Sequence, residues 1–181
     1  MRVIAGEARG ITLTAPPGTD TRPTVDRVKE AAFSIIQTKT PDAIVLDLFA
    51  GSGGLGIEAL SRGASWCDFV ERDRHAAQVI HNNLQKTRLA ERASVTVSDA
   101  KDFTACCKRK YDIALLDPPY GKKLCDFAMD ALSSRGCLNP GAVAVCETAA
   151  GEDVASPFRH IKSYRYGTVS LLLFEAKVGW K

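Results

Sequence analysis

From Ile44 onward the chain alternates short apolar runs with longer stretches that are apolar on one helical face. Ile44–Leu48 is an apolar run with Asp47 near its end, the pattern of a parallel strand buried on both faces. Gly54–Arg62 predicts a helix, Trp66–Val70 a second strand ending on Glu71, and Asp73 the cap of a long helix through Thr87. Ala93–Val97 and Tyr111–Leu116 predict two further strands, which end near Asp99 and at Asp117. Lys123–Ser134 carries Leu124, Phe127, Ala128 and Leu132 at helical spacing. Asn139-Pro140-Gly141 predicts a turn into the strand Ala142–Cys146, and Ile161–Tyr166 and Val169–Phe174 flank Gly167 closely enough for an antiparallel hairpin. This alternation implies an α/β fold: a mostly parallel, open sheet of about seven strands, with helices on both faces and a C-terminal antiparallel hairpin.

The first forty residues follow a different pattern. Val3, Ile4, Ile11 and Leu13 around Gly6 and Gly10 suggest a short hairpin, and Pro16-Pro17-Gly18 breaks the chain. Thr24 is a plausible N-cap for a helix whose apolar face is Val25, Val28, Ala32, Ile35 and Ile36, stopped by Pro41. The expected division is therefore an N-terminal hairpin-and-helix appendage over 1–40 and a main domain over 41–181.

Composition narrows the class. The 181 residues are 45% hydrophobic and 25% charged, ordinary for a soluble globular protein. No apolar run approaches bilayer-spanning length, and Arg2, Glu7 and Arg9 fall where a signal peptide has its apolar centre, so a cytoplasmic protein with no membrane partner is expected. A net charge of +3 permits a polyanionic partner without requiring one. Six cysteines include no C-x-x-C pair, and His75 and His81 fall on different faces of a helix, so free thiols and no metal are expected.

The candidate chemistry lies at the strand ends. Gly51, Gly53 and Gly56 spell G-x-G-x-x-G after the first strand, a turn that lets a ligand approach the backbone and is shared by several nucleotide-like binders. Asp47, Glu71, Asp99 and Asp117 mark four successive strand ends, where ligands of such sheets bind. A dinucleotide would use Glu71, twenty residues after Gly51, for its ribose, but Asp47 would then face the pyrophosphate. S-adenosylmethionine (SAM) has no phosphates and carries a sulfonium and an α-ammonium, which reverses the requirement. Asp47 would attract the cationic end, Glu71 would accept from both ribose hydroxyls, and Asp99 beside Ala100 would accept from the adenine amino group. Asp117-Pro118-Pro119-Tyr120 adds a rigid loop whose prolines donate no hydrogen bond. A planar base can stack on Tyr120 while its exocyclic amine donates to Asp117 and to the Pro118 carbonyl, so that transfer depends mainly on positioning.

Asp47-x-Phe49-x-Gly51-x-Gly53 together with Asp117-Pro118-Pro119-Tyr120 resembles the SAM-dependent amino-methyltransferases of nucleobases. Met1–Gly6, Thr21-Arg22-Pro23-Thr24-x-x-Arg27 with Glu30-Ala31 and Phe33, Val45–Gly53, Gly56–Ala64 and Tyr166-Gly167-Thr168 narrow this to a resemblance to the RsmD family of bacterial small-subunit ribosomal RNA guanine-N2 methyltransferases. That resemblance implies a Rossmann-like class I methyltransferase fold, SAM as cofactor, and ribosomal RNA in assembled or nearly assembled small subunits as substrate. It implies catalytic roles for Asp117, Pro118, Pro119 and Tyr120, and cofactor contacts from Asp47, Phe49, Gly51, Ser52, Gly53, Glu71, Arg72, Asp99 and Ala100. The sequence departs from the family pattern at Lys29, where a second arginine is common and which could alter an RNA contact, and at Gly54, where alanine is usual.

Arg2, Arg9, Arg22 and Arg27, with Lys122 and Lys123 after the catalytic loop, are the candidates for RNA phosphate contact. The first forty residues hold six Lys/Arg against four Asp/Glu, so an ordinary solvated surface remains the competing reading. Three other functions stay open: a DNA adenine-N6 or cytosine-N4 methyltransferase, for which no target-recognition domain is evident; a nicotinamide-dependent oxidoreductase using the same glycine loop; and a non-catalytic RNA-binding module.

Overall fold

The computed structural model describes residues 1–16, 23–119, 121 and 123–177, with the backbone alone at 23–25. Its centre is a seven-stranded sheet. The elements run α1 (Pro23–Ile35), β1 (Ile44–Asp47), α2 (Gly54–Ser61), β2 (Trp66–Glu71), α3 (Arg74–Thr87), β3 (Ala93–Val97), α4 (Ala100–Cys106), β4 (Tyr111–Leu116), α5 (Leu124–Ser134), β5 (Leu138–Ala149), β6 (Arg159–Tyr166) and β7 (Val169–Glu175), with a 3₁₀ turn at Ala90–Arg92. The strand order is β3-β2-β1-β4-β5-β7-β6. All neighbours are parallel except β7, which inserts antiparallel between β5 and β6. The order reverses between β1 and β4, and that switch point opens a crevice outside the carboxyl ends of the strands.

Strand parity sorts the core. Val45, Phe69, Ile113, Leu115, Val143 and Val145 face one side with α1, α2 and α3, and Leu46, Leu48, Ala114, Leu116, Ala144 and Cys146 face the other with α4 and α5. Residues 1–13 bury Val3, Ala8 and Leu13 in the first of these clusters, which they share with the sheet. The expected N-terminal hairpin is present as an antiparallel pairing of Arg2 with Thr12. It is fastened by Glu58 of α2, which accepts from the backbone N–H of Ile4 (2.8 Å) and Ala5 (3.0 Å) and from Arg62 Nε (2.7 Å).

Three local expectations are corrected. α1 begins at Pro23, one residue before the proposed cap Thr24, because proline at the first helical position sacrifices no hydrogen bond. Asn139-Pro140-Gly141 lies inside β5, as a bulge: the register jumps from Tyr111↔Leu138 to Ile113↔Val143. β5 also extends past Cys146 to Ala149, held by β7 along its whole outer half. α4 was not anticipated, and Asp99 caps it by accepting from the Lys101 N–H (2.8 Å).

Candidate active site

The crevice is a cavity of about 810 Å³ above β1, β2, β4 and β5. Its lining includes Asp47, Phe49, Gly51, Ser52, Glu71, Arg72, Asp99 and Ala100, together with Asp117, Pro118 and Pro119. One cavity thus holds the cofactor candidates and the described part of the proposed catalytic loop. Gly53 is the exception. It does not line the cavity but caps α2 in the left-handed conformation (φ 79°), packed towards Phe69 and Ile80. Gly51 (φ 56°) has open space where a side chain would stand, so a ligand can reach the backbone there. Gly56 serves packing: a Cβ on it would lie 2.3 Å from Phe69 Cε1. Tyr120, Arg22 and Lys122 lie outside the described residues.

The carboxylates of the site differ in what they already hold. Asp47 is 1% exposed; its Oδ2 accepts from the Gly56 N–H (2.9 Å), and its Oδ1 has no hydrogen-bond partner among the described residues. Burial, reinforced by the nearby Glu71, raises its pKa to about 7 against the pull of the Gly56 N–H. Glu71 ties the loop together, accepting from the Gly51 N–H (2.8 Å) at Oε2 and the Asp73 N–H (2.9 Å) at Oε1. Each of its oxygens retains a further lone pair for a ligand hydroxyl. Asp117 opens onto the cavity, yet enclosure by the walls, followed by the Glu147 and Asp47 carboxylates, pushes its pKa well above the usual carboxylate range.

The residues present suit a ligand with a cationic end. Asp47 Oδ1 is a buried acceptor without a donor among the described residues, and an ammonium group would satisfy it. No group of His, Cys, Asp and Glu among the described residues is arranged to hold a metal ion, and no helix of the described residues is long and apolar enough to cross a membrane.

The family model described as "Conserved hypothetical protein 95" matches residues 1–175. The chain belongs to this family. Among its relatives, the Ribosomal RNA small subunit methyltransferase D of Haemophilus influenzae is 34% identical over 180 residues, covering 97% of this chain and 93% of the relative. The Bacillus subtilis protein YlbH is 49% identical over 123 residues, 66% of this chain and 67% of the relative. The solved structure of Escherichia coli yhhF superimposes with a TM-score of 0.89 at 33% identity, covering 99% of both chains. The family and the sheet topology together identify the class I methyltransferase fold, in agreement with the resemblance read from the motifs.

Of the basic candidates, Arg2, Arg9, Arg27 and Lys123 are exposed and stand outside the cavity lining. Lys29, whose departure from arginine could alter an RNA contact, is not at the surface. It is 2% exposed, pairs with Glu58 Oε2 (3.2 Å), donates to the Arg2 carbonyl (2.6 Å) and borders the cavity. Burial lowers its pKa, opposed by the Glu58 charge. At Gly54, the space an alanine methyl would take is filled by Met1 Sδ, 2.2 Å from that position. Glu147, which lines the cavity from β5, was missed. It directly follows Cys146 as Asp117 follows Leu116, so the strand-end rule that marked the other four acids applies to it as well.

Proposed function

We propose that this protein transfers a methyl group from SAM to the exocyclic N2 amine of one guanine in small-subunit ribosomal RNA, in the cytoplasm and on assembled or nearly assembled subunits. The observation that carries this reading is a single cavity that joins the Asp47 carboxylate with its unmet acceptor to the Asp117-Pro118-Pro119 loop. The names of the relatives support the substrate class.

SAM, when bound, supplies an electrophilic methyl on a cationic sulfonium. Asp47 holds the α-ammonium through Oδ1. Gly51, with Gly53 shaping the turn behind it, admits the ligand to the backbone. Glu71 accepts from the ribose hydroxyls, and Asp99 accepts from the adenine amine beside Ala100. Phe49, Ser52 and Arg72 complete the wall.

On the acceptor side, Asp117 and the Pro118 carbonyl accept from the guanine amine and fix its orientation, Pro119 stiffens the loop, and Tyr120 stacks on the base. The amine is a poor nucleophile because its lone pair is delocalised into the ring. Methylation makes it acidic, and the Asp117 carboxylate takes the proton released. Its raised pKa makes it a better base than an ordinary aspartate.

Residues 1–40 form the RNA-contacting part, with Arg2, Arg9, Arg22 and Arg27 joined by Lys122 and Lys123 against phosphate. The test is incubation with labelled SAM and either undermethylated small subunits or duplex DNA, followed by mass mapping of the modified base. Label on one guanine of the ribosomal RNA is expected. Label on DNA adenine or cytosine, or none at all, would overturn the reading. Asp117→Ala should abolish transfer with SAM affinity near that of the wild type; loss of SAM binding instead would remove Asp117 from its assigned role.

A further inference from the structure

Glu147 is absent from the mechanism above, yet it stands beside the residue at its centre. Leu115 pairs with Val145 and Leu116 with Cys146, so the next step of the ladder sets Asp117 opposite Glu147 on neighbouring parallel strands. Such strands lie about 4.8 Å apart. Both residues line the cavity. By strand parity both fall on the face that carries Asp47, which is paired with Leu115 and so sits two residues deeper, about 7 Å down the strand direction. The site therefore has an inner carboxylate on the cofactor side and an outer pair of adjacent carboxylates where the acceptor enters.

Two neighbouring carboxylates repel each other, and a ligand that places donors between them relieves that repulsion. Guanine does so, because its N1–H and its N2 amine are adjacent donors on one edge. Adenine and cytosine put a ring nitrogen lone pair beside the amine, at N1 and N3, and that lone pair would face a carboxylate.

We propose that Glu147 is the specificity-determining residue of the acceptor subsite: it accepts the guanine N1–H while Asp117 accepts from the N2 amine. This rests on the guanine-N2 reading above and supplies the reason an Asp-Pro-Pro-Tyr loop, equally suited to adenine or cytosine amines, selects guanine. The electrostatics follow from that adjacency: after burial, the Glu147 charge is the largest influence on Asp117.

The test compares wild type and Glu147→Gln on undermethylated small subunits reconstituted with guanine or with 2-aminopurine at the target position. 2-Aminopurine keeps the 2-amino group but has an acceptor at N1. Wild type is expected to favour guanine at least tenfold in kcat/KM. Glu147→Gln, whose amide can donate to that acceptor, should lose at least tenfold on guanine and bring the ratio of the two bases towards one, with SAM affinity and melting temperature unchanged. A merely structural role would slow both bases alike and preserve the ratio, which overturns the proposal, as does a fall in SAM affinity at an unchanged ratio. If Glu147→Gln does not fold, the wild-type ratio still decides, because equal rates on the two bases overturn the proposal. A wild type that methylates no guanine in the subunit defeats the underlying function instead, so the two failures are distinct.

Discussion

Two carboxylates reach the same α2 helix, both sealed from solvent, and they are treated in opposite ways. Glu58 is 0% exposed and Asp47 1% exposed. Around Glu58 the fold gathers two backbone N–H groups, the Arg62 guanidinium and the Lys29 ammonium. Around Asp47 it supplies one N–H, from Gly56, and leaves the second oxygen unmet. Glu58 is architecture: its charge is answered within the chain and clamps the N-terminal segment to the domain. Asp47 keeps an acceptor that no described residue satisfies, which is why the proposed function gives it the cationic end of the ligand. Burial alone does not separate the two; the count of donors does.

The sharpest way to break this contrast is to remove Glu58. Glu58→Ala leaves Lys29 buried without a counter-charge and frees the N–H groups of Ile4 and Ala5, so a loss of about 3–5 kcal/mol is expected by chemical denaturation. A loss below about 1 kcal/mol would show that the clamp contributes little.

Asp47→Asn should do the reverse, sparing the fold while weakening SAM binding by roughly 10- to 100-fold in calorimetry, the worth of one charged hydrogen bond. It also carries a pH signature. The folded pKa of about 7 lies above the ordinary aspartate value, so the folded state holds this proton more tightly than the unfolded chain. The ligand-free protein therefore has this contribution in full below about pH 4 and loses it as pH rises through the folded pKa, by up to about 1.4 kcal/mol per pH unit. SAM affinity should rise over the same interval as the carboxylate ionises. Asp47→Asn should flatten both curves; curves that keep their slopes would assign the titration to another group.

Gly56→Ala probes the contact between the two systems, since its N–H holds Asp47 and its missing side chain admits Phe69. A methyl 2.3 Å from Phe69 Cε1 must push α2 from the sheet, for an expected loss of about 1–3 kcal/mol. A neutral result would mean that the ring can rotate away.

The sequence patterns that proved most legible were those with one physical reading. Tyr111–Leu116 coincides with β4 because a strand buried between two neighbours has no competing use for its apolar run, and Ala93–Val97 coincides with β3 at the sheet edge. Asp73 caps α3, accepting from the N–H groups of His75 and Ala76, as its position before an amphipathic stretch suggests. Asn139-Pro140-Gly141 misled because the same residues serve a turn or a bulge, and only the partner strands β4 and β7 decide which. That ambiguity moved the expected start of the fifth strand from Leu138 to Ala142.

Sequence by itself determined the order of the strands and of every helix but α4, the glycine turn, and the acids at the first four strand ends, because each follows from local periodicity or steric demand. Tertiary structure alone decided which acids share a face, which oxygen of Asp47 lacks a donor, and that Lys29 is buried against Glu58. Register, burial and the donor count around a carboxylate come from segments far apart in the chain: residues 1–5 and α2 for Glu58, β1 and α2 for Asp47, β4 and β5 for Asp117 and Glu147. No local pattern encodes those distances; only the packed sheet brings the groups together.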